Sequence, residues 1–281
     1  MKRKIRVIII ITVLVFVGIS VWGTELLQLS VVPLSAWLEL GAGGAYSGSF
    51  TVTNVSDTTA NVNVFLFDFL LGETGEIITL EPETLGERSL SSYITYSPEQ
   101  MTLQPGESRS VTYSLTLLSE TNGPCWATLV VTPDEPEEVP VELPETEGIT
   151  FIVRLHTQYL FTIIQRPLNP PTPAGQMVEV DVKGAAADDG TRQVTIAATF
   201  QNLVDDVRRC KVYFEIRDPE GEMLARYEEP RDLVVFPTAV RVFNHTFEGL
   251  EMPPGKYLIL GVVDFGGDYL AAGQYLATVS E

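Results

Sequence analysis

The sequence predicts an all-β protein, two β-sandwiches in tandem behind an N-terminal targeting segment. Three observations carry this. Apolar residues recur at every second position over many short runs, as in Ser49-Phe50-Thr51-Val52-Thr53-Asn54, and helical spacing nowhere persists past a turn or two. Sets of Gly, Pro, Asn, Asp and Ser separate those runs every ~8–12 residues, the spacing of a sandwich. The second half of the chain repeats the order of runs and turns found in the first.

At 281 residues and 45% apolar composition, the chain can fill two cores. Residues 1–23 read as a signal peptide. Lys2, Arg3, Lys4 and Arg6 make a basic start, Val7 to Val17 an apolar run, and Val21-Trp22-Gly23 a small-residue cleavage signature, with maturation expected near Thr24. The protein is therefore expected to be exported, to a periplasmic, cell-envelope or extracellular location. An uncleaved anchor is the alternative, and membrane contact would then run only through this segment. Loss of those four basic residues and no acidic one takes the formal charge from −19 to −23. Such acidity argues against nucleic acid and anionic membrane surfaces as partners, because both select Lys and Arg patches; it reads as a solubility device. Cys125 and Cys210 lie in different expected domains, and buried free thiols are favoured over a bridge across the linker.

Residues 24–167 form the first expected domain. Gln28 to Leu40 reads as a first strand with an early kink at Pro33. Gly41 to Gly48 is a connection, followed by Ser49 to Asn54, a turn at 55–59 and the strand Asn61 to Phe69. Gly72 to Glu76 is a tight turn. Leu103-Gln104-Pro105-Gly106-Glu107 precedes the strand Ser110 to Leu118, and Asn122-Gly123-Pro124 precedes Trp126 to Thr132. Residues 134–147, acidic and proline-rich, read as a flexible loop. Ile149 to Gln165 then reads as one long strand with Ile149, Phe151, Val153 and Leu155 on alternate positions, stopped by the prolines from Pro167 to Pro173. Residues 168–175 are the linker.

Residues 176–281 are the second domain. Ala198 to Asp205, Arg209 to Arg217 and Asp218 to Glu222 mirror Phe50 to Asp57, Asn61 to Phe69 and Gly72 to Glu76. Gly106 to Trp126 and Pro237 to Tyr257 have equal length. Leu250 to Tyr257 reads like a tyrosine corner, in which a Tyr hydroxyl tethers the start of a strand in immunoglobulin-like sandwiches.

No catalytic, cofactor or metal signature is recognisable. Gly41 to Gly48 lacks the Lys-Ser/Thr and the following helix of a phosphate cradle. His156 and His245 are the only histidines and fall in different domains, so neither a Ser-His-Asp triad nor a His-based metal site is selected. Asn54-Val55-Ser56 and Asn244-His245-Thr246 are glycosylation sequons.

Residues 29–167 resemble the N-terminal immunoglobulin-like domain of the PapD-like periplasmic pilus chaperones. The resemblance is carried by Phe50-Thr-Val-Thr-Asn54, the strand Val62 to Phe69, Leu103-Gln-Pro-Gly106, Gly123-Pro-Cys-Trp-Ala-Thr-Leu-Val-Val-Thr-Pro133 and the run from Ile149 into Arg166-Pro167. It implies that alternate apolar residues of the long last strand, here Ile149, Phe151, Val153 and Leu155, add to the sheet of a partner. It also implies an Arg on the first strand and a Lys on the last that hold a partner's terminal carboxylate. This chain has no Lys or Arg from Leu29 to Leu40, and the last strand before Arg166 offers Arg154 and His156. The expectation is thus a non-enzymatic, exported protein without cofactor that binds another extracytoplasmic protein, as a chaperone-like assembly factor. A structural or adhesive cell-envelope protein is the alternative.

Overall fold

The computed structural model describes residues 28–134, 137–142, 150–186, 191–266 and 269–280. The expected signal peptide and Ile149 lie outside the described residues. By internal packing the chain divides into two units, one of residues up to Asp68 with Leu80–Gln165, the other of Phe69–Thr79 with Arg166–Glu281.

The first unit is a β-sandwich. The run expected as one first strand is two, β1 (Leu29–Val32) and β2 (Ser35–Glu39), lying in different sheets. Pro33, with no N–H to continue a ladder, marks the crossing. β3 (Ala45–Asn54), β4 (Ala60–Leu71) and β5 (Ile77–Leu80) follow, the last two joined through the Gly72 N–H donating to the Glu76 carbonyl at 2.9 Å. Two 3-10 turns, Gly86–Arg88 and Ser91–Tyr93, lead into β6 (Ile94–Ser97), β7 (Gln100–Leu103) and β8 (Ser108–Thr116). Then come β9 (Cys125–Pro133), β10 (Glu137–Glu142), β11 (Thr150–Leu155) and β12 (Tyr159–Arg166). One sheet runs β1-β3-β8-β6. The other runs β2-β12-β9-β4-β5, with β7 also on β4, while β10 and β11 make a separate two-stranded ribbon.

Period-2 burial explains the sandwich. Phe50 and Val52 of β3 and Val111, Tyr113 and Leu115 of β8 meet Val62 and Val64 of β4, Ala127, Leu129 and Val131 of β9, and Phe161 and Ile163 of β12. Phe50 and Phe161 stack across the two sheets at 4.5 Å between centroids. Each such side chain contributes about 1.5–3 kcal/mol on burial. Asp68, fully buried, accepts from the Ser89 hydroxyl at 2.7 Å and from the Leu85 N–H at 3.0 Å, which ties the segment before β6 to β4.

The second unit repeats this plan. It contains β13 (Gly175–Ala186), β14 (Arg192–Asn202), β15 (Arg208–Arg217), β16 (Met223–Glu228), β17 (Leu233–Val235), β18 (Val240–Leu250), β19 (Gly255–Asp264) and β20 (Leu270–Val279). One sheet runs β13-β14-β18 and the other β16-β15-β19-β20, with β17 also on β15. The pairings β3–β8, β4–β9 and β9–β12 of the first unit recur as β14–β18, β15–β19 and β19–β20, as the repeat in the sequence requires. The core joins Ile196, Ala198 and Phe200 to Val212, Phe214, Ile216, Tyr257, Ile259 and Val263. The tyrosine corner is present: Tyr257, buried, donates its hydroxyl to the Pro253 carbonyl at 2.8 Å.

Candidate functional site

The run from Ile149 to Gln165 is not one strand. β12 pairs β9 from Tyr159 opposite Val131 to Gln165 opposite Cys125, whereas β11 pairs β10 from Leu155 opposite Glu137 to Thr150 opposite Glu142. Between the two ladders, His156, Thr157 and Gln158 are exposed and belong to no strand. The run is therefore split between two ladders, while its apolar alternation in sequence continues through the break.

The segment expected as a loop at 134–147 contains a strand, β10. Its ladder with β11 places Val139 opposite Val153 and Val141 opposite Phe151. Pro140 sits opposite Ile152 in a ribbon that has no third strand among the described residues, a setting that tolerates proline.

The expected binding residues are thus distributed unevenly. Phe151, Val153 and Leu155 occupy alternate positions of β11, with Arg154 between them; His156 is an exposed residue in the break; Ile149 lies outside the described residues. Among the described residues β11 pairs with β10 alone, so its other edge carries backbone donors and acceptors outside any ladder. β12 differs. Its outer neighbour is β2, and the Thr162 N–H reaches the Leu34 carbonyl at 3.0 Å. Among the described residues the edge along β11 is therefore open and that along β12 covered.

At the far end of β12 two polar side chains are engaged within the fold. Gln165, buried, donates to the Leu40 carbonyl at 2.8 Å and accepts from the Cys125 N–H at 3.2 Å, joining β2, β12 and β9 without charge. Arg166 is engaged with Asp206, Nε to Oδ1 at 3.0 Å and Nη2 to Oδ2 at 2.5 Å. β1 and β2 hold no Lys or Arg.

Other groups singled out in the sequence have structural settings. Cys125 and Cys210 are both buried and outside any disulfide, and burial pushes the Cys210 thiol up to about 12, so it stays protonated and unreactive at neutral pH. His245 stacks on Tyr227 with ring centroids 3.6 Å apart and 5° between planes. Asn54 is fully buried with its side-chain amide hydrogen-bonded, and is closed to glycosylation in the folded protein; Asn244 is exposed. Among the described residues no group of three or more His, Cys, Asp and Glu side chains could hold a metal ion, and no helix is long and apolar enough to cross a membrane.

No family model matches the chain, and no curated protein matches it by sequence. Among solved structures it is similar to a chaperone–tip adhesion subunit pre-assembly complex from the archaic chaperone-usher Csu pili of Acinetobacter baumannii, at 14% identity and a TM-score of 0.41, covering 88% of this chain and 97% of that one. It is similar to the E. coli chaperone DraB at 12% identity and a TM-score of 0.39, covering 90% of this chain and 97% of that one. A PapD-like domain of human CEP192 matches 57% of this chain and 98% of its own length, at 9% identity and a TM-score of 0.33.

Proposed function

We propose that the protein is an exported, non-enzymatic binding protein that takes up an extended segment of another extracytoplasmic protein along the open edge of β11, as a chaperone-like assembly factor. The observation that carries this reading is the two-stranded ribbon β10–β11, in which β11 has no ladder partner on its other side among the described residues and bears Phe151, Val153 and Leu155 at alternate positions. Main-chain bonds along such an edge supply affinity, and alternate side chains select the partner's sequence. The resemblance of residues 29–167 to PapD-like pilus chaperones supports the same strand in the same role. Because β1 and β2 hold no Lys or Arg and Arg166 is engaged with Asp206, the partner is held by its strand and not by its terminal carboxylate.

Co-purification of the mature protein with its native envelope partners tests this. Phe151→Asp is expected to abolish co-purification and to leave the thermal transition unchanged. A variant that still co-purifies with the same partner overturns the reading, and so does one that loses both its partner and its transition, since Phe151 would then be holding the sandwich together.

A further inference from the structure

We propose that the outer face of the sheet β15-β19-β20 is a docking surface, and that its occupant is an acidic amphipathic helix of another protein.

An antiparallel sheet packed on one side ordinarily shows polar residues on the other. In β19 and β20 the core side is formed as expected, by Tyr257, Ile259, Val263, Ala271 and Ala277, yet most of the positions between them are apolar too. Leu258 stands opposite Leu276 and Val262 opposite Ala272, while Leu260, opposite Gln274, and Leu270 extend the stripe. Leu270 is 58% exposed and Leu276 69% exposed. β13 does not cover them, because its Met177 and Val180 side chains approach Gly273 of β20 from the core side. A contiguous apolar surface of this kind marks a site of interaction. The stripe is two strands wide, about 10 Å, and Leu270 to Leu276 spans about 20 Å. Those dimensions match one helix about 10 Å across and about 13 residues long. An added strand pairs with an edge, whereas a face is covered by a packed layer.

Charge selects the chemistry of the occupant. The whole chain holds 18 Lys and Arg against 37 Asp and Glu, but the outer positions of this sheet reverse the balance. β15 places Arg209, Lys211 and Arg217 there, β16 Arg226 and β19 Lys256, against the three carboxylates of Glu215, Glu228 and Asp264. Glu215 is buried between two guanidinium groups, its Oε1 taking Arg226 at 2.7 Å and its Oε2 taking Arg217 at 2.9 Å, so one negative charge holds two cations in place. The Arg226 Cζ also lies 4.5 Å from the centre of the Tyr213 ring. Both arginines stay partly exposed on the β15 flank of the stripe. A guanidinium fixed in this way is suited to a carboxylate. A helix along β19 and β20 thus sets its apolar side on the leucines and its Asp or Glu residues beside Arg217 and Arg226. The local cationic excess is felt within one Debye length, ~8 Å at physiological ionic strength. A slender helix lies inside that distance, whereas an anionic membrane or a second copy of this acidic chain also meets the acidic remainder and is repelled.

Two synthetic peptides of about 14 residues test this with the full mature chain, both with Leu at positions i, i+3, i+4 and i+7 and Ala elsewhere except for one kind of charge, Glu in one and Lys in the other. The Glu peptide is expected to shift the methyl resonances of Leu258, Leu270 and Leu276 and to gain helical circular dichroism, although the chain is itself acidic. The Lys peptide is expected to leave those methyls in place. Lys211→Glu/Lys256→Glu, at two exposed positions, should weaken binding of the Glu peptide by about tenfold, and so should Leu276→Ser. The wild-type methyl shifts keep the test decisive should a variant misfold. A Glu peptide that moves none of these methyls, a Lys peptide that moves them equally, movement with phosphatidylglycerol vesicles in place of the peptide, or movement with protein concentration alone overturns the proposal. Phe151→Asp on the β11 edge is expected to leave peptide binding unchanged, so the two readings fail separately.

Discussion

Asn54 and Asn202 make the same set of hydrogen bonds in the two units. The Asn54 amide donates to the Thr58 carbonyl at 2.7 Å and the Leu103 carbonyl at 3.1 Å, and its Oδ1 accepts from the Ser56 N–H at 3.0 Å. The Asn202 amide donates to the Asp206 carbonyl at 2.8 Å and the Phe236 carbonyl at 2.9 Å, and its Oδ1 accepts from the Val204 N–H at 3.2 Å. Each side chain is buried at the end of a core strand, where it closes the following turn and tethers a second loop. Leaving two carbonyls and an N–H unsatisfied in such a place costs about 1–3 kcal/mol per group. Asn54→Ala and Asn202→Ala are therefore each expected to destabilise their own unit by about 2–4 kcal/mol. Asn→Asp should be worse at neutral pH, because it turns a carboxylate toward two carbonyl oxygens. Amide exchange resolved along the chain checks this: Asn54→Ala should release Gly106 and Glu107, and Asn202→Ala should release Ala239. Uniform loss of protection in both units would contradict it.

Asp206 forms the other concentrated buried site of the second unit. Its carboxylate is fully buried, bonded in a fork by Arg166 and approached by Arg208 at 3.3 Å, while Arg208 also donates to the Pro171 carbonyl. Burial depresses the Arg208 pKa and the Asp206 charge opposes that, so removing Asp206 leaves two guanidinium groups in a poorly solvated place. Asp206→Ala should cost about 3–5 kcal/mol, the range for an uncompensated buried charge. Denaturant unfolding with a probe in the second unit measures it. An Arg166→Met/Asp206→Leu pair of substitutions should recover a good part of the loss, since apolar replacement of a whole buried ion pair is often neutral. A double variant as weak as Asp206→Ala would count against the charge argument.

The strands themselves were legible because burial has period 2 in Phe50-Thr51-Val52 and in Val62-Asn63-Val64. The duplication was legible because turn chemistry repeats with it, down to the Asn that ends Thr51-Val52-Thr53-Asn54 and Thr199-Phe200-Gln201-Asn202. The break at 156–158 was not, since β11 and β12 pair with different strands and alternation within one run carries no information about its neighbours. β10 was masked by Glu and Pro residues that penalise a central strand yet suit a two-stranded ribbon. Of the candidate edge, the apolar alternation of Phe151, Val153 and Leu155 could be read directly. That β2 covers β12 while β11 stays open depends on where the first strand changes sheets, a tertiary fact that only the kink at Pro33 foreshadowed.

His245 supplies a pH-dependent prediction. It lies on β18 opposite Ile196, stacked on Tyr227, with Phe214 at 6.5 Å and Phe247 edge-on at 4.6 Å. Desolvation among these rings holds its pKa below the ordinary histidine value, and the nearby Glu229 carboxylate, which accepts from the Tyr227 hydroxyl, pulls weakly the other way. With the folded pKa depressed, the unfolded chain binds the proton first as pH falls. The contribution of neutral His245 is thus fully present above the unfolded pKa of about 6.5 and declines as pH drops through and below that value. A titration of the His245 ring followed by NMR should give a midpoint below about 6.5, the unperturbed value. His245→Phe, which keeps the stack and removes the proton site, should lose less stability than the wild type between about pH 7.5 and pH 5.5, the interval in which histidine titrates. A midpoint at or above the ordinary value, or parallel pH profiles for the two proteins, would show that Glu229 outweighs the aromatic surroundings.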